Sequence, residues 1–466
     1  MDYHVFSEPW LQAERLDGNV CHISVMECLT NGHSYRRLRF GSCDSMAEFA
    51  AYRLLFSVYL DAILPERYDY EDYLSGNDYD AEKIVEYIGK FDSDVFDDIH
   101  PFMQAPVKCF KGGPTGVSAI SPFMLRGNNR VFAAGYSPYA MEDSYVLTPE
   151  KYIRSLVSIQ MGVQAGGRGA GPSVTYSSGC CPIYSVLEGQ DLYETIVLSS
   201  GYIQGDPGIP LWRWERYDPE YYGLNHPGVL TYAFMPARYI RFADTDVKRV
   251  FFEPVSFSVD KSEGRKVNAT VMFRNWLKTD PSVTVRDTKR GPVPITFSSR
   301  SEFIFQYIDA LCGHHSTIAA EMLEESGLDI YPETVSYYAH GMPAKPKNYS
   351  VGVMRMPIDY ASLSDEKIAK IEGAVSEVRR VGRSISRLKI YPQKMHSSPL
   401  LEAFYNFMSS RMPGCIASEN PRQTVTRDMR TWIQTIESPI PDIYMWYSEA
   451  VPVILREISK GEKYDK

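Results

Sequence analysis

The sequence predicts an α+β chain: a large mixed N-terminal domain over residues 1–360, followed by a C-terminal four-helix bundle over residues 361–466. Three observations carry this reading. Helical periodicity and strand-like alternation are interleaved as far as Tyr360. Beyond it, Asp365 to Arg387, Pro399 to Met412, Thr424 to Ile436 and Asp442 to Ser459 all read as helix, with short connections. The 466 residues, 44% hydrophobic and 23% charged, suffice for two or three domains with a sizeable core.

In chain order, Tyr3 to Trp10 reads as a short strand ending in Glu-Pro-Trp. Ser45 to Leu64 reads as an amphipathic helix, with Met46, Phe49, Tyr52, Leu55, Val58 and Leu60 broadly on one side. Tyr68 to Asp98 is acidic and Tyr-rich, helical over 80–91, and reads as a solvated face. His100-Pro-Phe-Met-Gln104 closes it, and its histidine reads as structural. In the loop-rich stretch from Gly112 to Gly135, Arg126-Gly-Asn-Asn-Arg130 leads into Val131 and Phe132. A Phe after such a basic run suits stacking on a base or anchoring a core equally.

The chain is organised around Thr148 to Leu198, which reads as helix, glycine loop, helix. Thr148 is an N-cap with Pro149 at the first helical position, and Ile153, Leu156, Val157, Gln160 and Met161 keep helical spacing. The period stops at Gly162, and Gly166, Gly167, Gly169 and Gly171 then crowd together around Arg168. Each glycine costs about 1 kcal/mol in a helix. Such a loop can bring bare N–H groups against something flat or anionic, and a plain surface loop has the same composition. No Gly-Lys-Ser/Thr follows, and a helix rather than a strand precedes, which excludes a Walker loop and a dinucleotide fingerprint.

From Val229 to Phe297 the alternation predicts strands at Tyr239–Phe242, Val250–Val259, Val267–Phe273, Val283–Val285 and Ile295–Phe297. Basic residues concentrate there, with Lys261, Arg265, Lys266, Arg274, Lys278, Arg286, Lys289 and Arg290 set against Glu263, Asp280 and Asp287. That excess suits a phosphate backbone or a solvated strand face. Ser301 to Ser326 reads as helix, and Val335 to Met356 as a hairpin with the stiff, charged tip Pro343-Ala-Lys-Pro-Lys-Asn348. Arg379, Arg380, Arg383 and Arg387 recur at about one-turn spacing on the first bundle helix, a stripe fit for phosphates or solvent.

The chemistry to be expected is narrow. The net charge of -9 argues against a free-standing nucleic-acid binder, although local patches do the binding. No apolar run reaches membrane-spanning length and no secretory signal opens the chain, so a cytoplasmic protein without membrane contact is expected. Eight cysteines without a CxxC pair predict reduced, buried thiols, and neither metal nor cofactor is expected. Asp244-Thr-Asp246 reads as a polar turn, and adjacent His314 and His315 point apart on a helix. No HExxH or GxSxG motif appears, so nucleic-acid binding is favoured over catalysis.

Several motifs together resemble one family: CasA, the large subunit of the type I-E CRISPR Cascade complex. They are Phe6-Ser-Glu-Pro-Trp10, Asp98-Ile-His-Pro-Phe-Met-Gln104, Ser158-Ile-Gln160, the glycine loop, Leu187-Glu-Gly-Gln-Asp-Leu-Tyr-Glu-Thr195 and Gly228 to Arg238. In the last of these, Phe234 and Met235 stand where the family has Trp. Their order, together with the terminal bundle, carries the resemblance over nearly the whole chain.

The resemblance implies a non-enzymatic subunit that reads the protospacer-adjacent motif (PAM) of double-stranded target DNA, largely in the minor groove. It also implies help in opening the duplex for R-loop formation and in recruiting the helicase-nuclease for antiviral defence. Implied partners are crRNA, target DNA, the other Cascade subunits and the helicase-nuclease. The PAM-reading residues fall on Gly166, Gly167, Arg168, Gly169 and Lys266, the wedge hairpin on Lys345, Lys347 and Asn348, and the crRNA-handle loop on Asn129, Arg130 and Phe132. Arg379, Arg380 and Arg383 are assigned to non-target strand or phosphate. Asn348 replaces a longer wedge glutamine, Ala134 replaces a loop asparagine, and the zinc-like Cys cluster of some relatives is absent. The rivals are a large subunit of another type I subtype, a hydrolase with an unrecognised site, and a purely structural partner-binding module.

Overall fold

A helix that is apolar on every face must be buried on every face, and the helix Ser45–Ile63 is such an element. Phe49, Tyr52, Leu55, Phe56, Val58 and Tyr59 point all round its axis and are 2% exposed or less. The expected polar face does not exist; instead, its buried polar residues each find partners. Glu48 accepts from Phe40 N at 2.7 Å and Tyr338 Oη at 2.8 Å. Asp61 accepts from Tyr87 Oη and pairs with Arg213. Arg53 pairs with Asp280, 227 positions away.

The computed structural model describes residues 3–40, 45–116, 148–160, 182–236, 238–243, 249–255, 266–296, 305, 308–309, 316–341, 350–357, 364–387, 398–437 and 450–462. The chain divides into two units: residues 1–298 with 316–358, and residues 299–315 with 359–466.

The first unit opens with β1 (Leu11–Arg15), β2 (Val20–Ile23), α1 (Val25–Thr30) and β3 (Tyr35–Leu38), whose strands form an antiparallel sheet ordered β2–β1–β3. Tyr3 to Trp10 is not the expected strand. His4 bridges Asp94, the chain turns, and Asp92 Oδ1 takes Phe6 N at 2.8 Å, so the strand starts only after Pro9.

The helix already described is α2, followed by α3 (Arg67–Leu74) and α4 (Ala81–Phe91). Most tyrosines of this acidic stretch are not a solvated face: Tyr70, Tyr79 and Tyr87 are buried and Tyr79 stacks on Tyr193 at 4.8 Å, whereas Tyr68 is exposed. Next come β4 (Thr115–Gly116), α5 (Pro149–Gln160), β5 (Tyr184–Glu188) and α6 (Leu192–Ser200). A strand thus precedes the second helix of the stretch read as helix–loop–helix.

The unit continues through α7 (Pro219–Asn225), α8 (Val229–Ala233), β6 (Arg238–Phe242), β7 (Arg249–Pro254) and α9 (Lys266–Thr279). β6 and β7 are the expected strands, joined by β4 in the order β4–β7–β6. Val267–Phe273, expected as a strand, lies in α9. Met272 and Trp276, four apart, bury together, and that period outweighs the local alternation. Asp280, four residues further on, accepts from Trp276 Nε1 at 2.6 Å. β8 (Val285–Arg286) and β9 (Val293–Pro294) form a small hairpin, α10 (Ile318–Ser326) follows, and β10 (Thr334–Gly341) with β11 (Ser350–Pro357) forms the expected long hairpin.

The second unit holds α11 (Asp365–Ser386), α12 (Ser398–Ala417), α13 (Pro421–Glu437) and α14 (Ala450–Glu462). Ser364 caps α11 with Asp365 and Glu366 in its first turn, and Ile371, Ala374, Val375, Val378, Val381 and Ile385 give it one buried stripe. α12 runs on through Pro413, where the sequence suggests a stop, with Met412 and Cys415 buried on either side. Among the described residues Cys28 and Cys415 are free and buried, whereas Cys21 and Cys109 are half-buried. No described helix is long and apolar enough to cross a membrane.

Motifs distant in sequence meet in the core of the first unit. Phe6 lies 5.4 Å from Phe102 and 5.6 Å from Trp212, and Trp212 lies 4.8 Å from Phe234. Gly228 is required by close approach: a Cβ there would stand 2.0 Å from the carbonyl carbon of Pro207 and 2.2 Å from Gly208 N.

The Arg53–Asp280 pair carries the first prediction. Asp280 is fully buried and also accepts from Ser282 Oγ at 2.8 Å. Asp280→Ala leaves a buried guanidinium without its counter-ion, a loss of about 3–5 kcal/mol. Urea unfolding is expected to show that loss, and a second substitution, Arg53→Met, to recover part of it.

Candidate nucleic-acid interface

The described ends of the glycine-rich segment and of the long hairpin are held by backbone and side-chain hydrogen bonds. Gly166, Gly167, Arg168 and Gly169 lie outside the described residues, between α5 and Pro182. Asn129, Arg130 and Phe132 lie outside them as well, as do Lys345, Lys347 and Asn348 between β10 and β11. Asp244, Asp246, His314 and His315 are likewise not described. Lys266 is the first residue of α9, not a strand residue, and stands about 20 Å along the helix from Thr279.

The front anchor of the glycine-rich segment is Gln160, fully buried at the end of α5. Its Nε2 donates to the carbonyls of Met103 and Arg238, both at 3.2 Å. The His-Pro-Phe-Met-Gln motif is therefore a brace. Gln104 donates to Val95 O at 2.6 Å and accepts from Phe242 N at 2.9 Å, while Ala105 N reaches Ile240 O at 2.8 Å. Two buried glutamines in apolar surroundings were the sequence signal for this clamp, since each must find partners.

The rear anchor is β5. On one edge Ile183 N donates to Ile295 O at 2.7 Å, Thr284 N to Ile183 O at 2.9 Å and Ser185 N to Ser282 O at 2.8 Å. On the other edge β5 pairs antiparallel with β10, from Tyr184 opposite Tyr338 to Glu188 opposite Thr334. β10 in turn pairs with β11 as far as Gly341 opposite Ser350. The start of β5, which follows the glycine-rich segment, and the end of β10, which precedes the hairpin tip, therefore lie at the same end of one three-stranded sheet. The corner after α9 joins the same strand, because Val283 bridges Tyr184.

At the opposite end of that sheet, Glu188 is buried against the Ser336 hydroxyl, with Arg37 Nη1 at 3.9 Å. Burial raises its pKa above the ordinary carboxylate value, against the lowering by Ser336 and Arg37. Asp191 then caps α6 through Glu194 N at 2.9 Å, and Glu194 returns a carboxylate to Gln190 N at 2.6 Å, which accounts for that motif's acids.

α9 exposes Arg274 and Lys278, four residues apart, and the β8–β9 hairpin exposes Arg286, Lys289 and Arg290. None of the five makes an ion pair among the described residues. Asp280, which offsets them in a sequence count, is buried on Arg53, leaving Asp287 as the exposed acid of residues 266–296. On α11 the arginine stripe is divided. Arg379 grips Asp309 through two bonds of 2.9 and 2.6 Å, and Arg380 pairs with Glu377 and with Glu457 at 3.0 Å. Arg383 has no acidic partner among the described residues; its Nε lies 3.4 Å from Arg379 O. No group of His, Cys, Asp and Glu among the described residues is arranged to hold a metal.

Comparison with known proteins accords with this architecture. The family model of the CRISPR-associated protein Cse1 matches residues 5–388. The structure is similar to that of Thermus thermophilus CasA (Cse1), at 16% identity and a TM-score of 0.65, over 99% of each chain. It is also similar to Thermobifida fusca Cse1, at 14% identity and a TM-score of 0.66, over 99% of this chain and 98% of that one. A chain of a CRISPR RNA-guided surveillance complex matches at 13% identity and a TM-score of 0.66, over 99% of each chain. At these identities the likeness is one of fold. No curated protein matches by sequence.

Glu188 yields a pH prediction. With its folded pKa raised, its contribution to stability is full below the unfolded value, about 4.3, and is lost as pH rises through the folded value. Glu188→Gln mimics the neutral form at every pH, and Arg37 keeps Glu14 at 3.1 Å. The Tm difference between variant and wild type should favour the variant at pH 8 and shrink towards pH 4.5 in a thermal melt.

Proposed function

Since the chain belongs to the CRISPR-associated Cse1 family, we propose that it is the large subunit of a crRNA-guided type I-E Cascade surveillance complex that reads the PAM of duplex DNA. The observation that carries this reading is topological. The exit of the glycine-rich segment and the base of the β10–β11 hairpin share one end of one sheet, and the corner after α9 is bonded to the same strand.

In this reading the backbone N–H groups of Gly166, Gly167 and Gly169 approach the minor groove, where a degenerate pattern tolerates several PAM sequences. Arg168 and Lys266 supply charge to neighbouring phosphates or base edges. The tip residues Lys345, Lys347 and Asn348 enter the duplex beside the PAM and hold its first pairs apart, which nucleates the R-loop. The exposed cations of α9 and the β8–β9 hairpin add sequence-independent attraction that salt screens. Asn129, Arg130 and Phe132 meet the crRNA handle, with Phe132 stacking on a base.

Of the three arginines on α11, Arg383 is the phosphate contact we favour, because Arg379 and Arg380 already neutralise acids within their own unit. No catalytic step is assigned to the chain. Recruitment of the helicase-nuclease completes the role, and a large subunit of another type I subtype is the alternative.

The test is binding of a randomised-PAM duplex library by the complex assembled with crRNA and sister subunits. Gly167→Asp and Lys266→Ala are expected to lower PAM-selective binding at least about tenfold, a loss of about 1.4 kcal/mol. Lys347→Ala with Asn348→Ala should spare PAM binding and slow strand opening. Unchanged selectivity and opening in all three would refute the assignment.

A further inference from the structure

The turn Gly32–Ser34, which follows α1, seats one histidine between two acids from distant parts of the first unit. A Cβ on Gly32 would stand 2.9 Å from Tyr193 N, so glycine lets the turn lie against the start of α6. The His33 ring then stacks on Tyr193 at 4.3 Å. Its Nδ1 lies 2.6 Å from Asp191 Oδ2 and its Nε2 3.0 Å from Asp78 Oδ1.

Two carboxylates on two ring nitrogens set the protonation state. An ionised carboxylate only accepts, and a neutral imidazole carries one N–H. Both bonds therefore exist together in the imidazolium, which also gains from the face of the Tyr193 ring. Burial lowers the His33 pKa, but the hydrogen bonds and charges of Asp191 and Asp78 outweigh it and the net shift is upward. Of the other charged groups nearby, Glu194 bonds to Gln190 N, Asp80 caps α4 through Glu82 N, and Glu333 pairs with Arg36.

The two anchors differ. The Asp191 side chain is 18% exposed and its other oxygen caps α6 through Glu194 N, whereas that of Asp78 is 67% exposed in the loop between α3 and α4. A neutral ring that keeps its N–H on Asp191 turns a lone pair towards Asp78, so the loop is the end that lets go. Tyr193 Oη holds the same loop, receiving Tyr79 N and reaching Asn77 O, both at 3.1 Å, so the loop amides report on the contact.

We propose that His33 is a proton-operated staple: its imidazolium holds the α3–α4 loop, residues 75–80, on the start of α6, and deprotonation loosens that loop from its Asp78 side. The staple is fully present below the ordinary histidine value, about 6.5, and is lost as pH rises through the folded value. None of its residues is assigned to DNA or crRNA, so it stands or falls separately from the proposed function.

The test combines NMR titration of the full-length chain labelled at histidine, with His33→Gln identifying the signal, and hydrogen–deuterium exchange of residues 75–80 at pH 5.5 and 8.5, corrected for the intrinsic rate. His33 is expected to titrate above about 6.5, and Asp78→Asn and Asp191→Asn each to bring its midpoint down. Asparagine is itself a good N-cap, so α6 stays folded in the second variant. Protection of the loop should fall about two- to fivefold from pH 5.5 to 8.5, the scale of an exposed ion pair, and be equally low at both in His33→Gln. The proposal is overturned if His33 titrates at or below its ordinary value, or if either asparagine variant leaves the midpoint unmoved. It is equally overturned if loop protection is the same at both pH values in the wild type, or keeps its pH dependence in the correctly folded His33→Gln protein.

Discussion

The buried ion pair between Arg53 and Asp280 is the constraint around which the first unit closes. Taking two charges out of water costs several kcal/mol per ion unless every partner is in place. Here Asp280 receives Arg53, the Trp276 indole and the Ser282 hydroxyl, while Arg53 lies 5.9 and 5.4 Å from the centres of the Phe49 and Tyr184 rings and keeps its Nη1 buried without a hydrogen bond among the described residues. Burial pushes the Arg53 pKa down to about 10, which still leaves it charged at neutral pH. The pair joins the central helix α2, the corner after α9 and the first residue of β5. These elements also frame the described ends of the glycine-rich segment and of the long hairpin.

Around this pair the family-like motifs act as structure more than as surface. Phe6, Phe102 and Phe234 gather on Trp212, and Gly228 lets the backbone of Pro207 come close. Gln104 and Gln160 tie the end of α5 to β6 and to the chain around Met103. A rigid scaffold at the ends of segments proposed to meet a partner is physically sensible, because pre-organised contacts lose less entropy on binding.

Much of this was legible in the sequence, for reasons that differ by element. The bundle helices combine a 3.6-residue stripe with a Ser364 cap, and the long hairpin alternates around a charged, proline-rich tip, so local pattern and tertiary need agree. α2 was legible as a helix but not as a buried one, because Glu48, Arg53 and Asp61 look like a polar face until their distant partners are known. Val267–Phe273 misleads for the opposite reason: its alternation is local, whereas the spacing of Met272, Trp276 and Asp280 is set by packing. The tyrosines around Tyr79 sit among acids that face water while their rings face the core. Of the proposed interface, the glycine cluster and basic excess were visible as chemistry, but the placing of the start of β5 beside the end of β10 depends on pairing Tyr184 with Tyr338, which no local pattern encodes. The division of the α11 arginines likewise follows from Asp309 and Glu457, remote in sequence.

The central claim is that the glycine-rich segment and the hairpin tip act on one duplex from one end of one sheet. Hydrogen–deuterium exchange of the assembled complex, with and without a PAM-containing duplex, tests it most directly. The account predicts simultaneous protection of residues 161–181 and 342–349, with the β5–β10 strands unchanged because they are already bonded. Protection of only one of the two segments, or of neither, would contradict it.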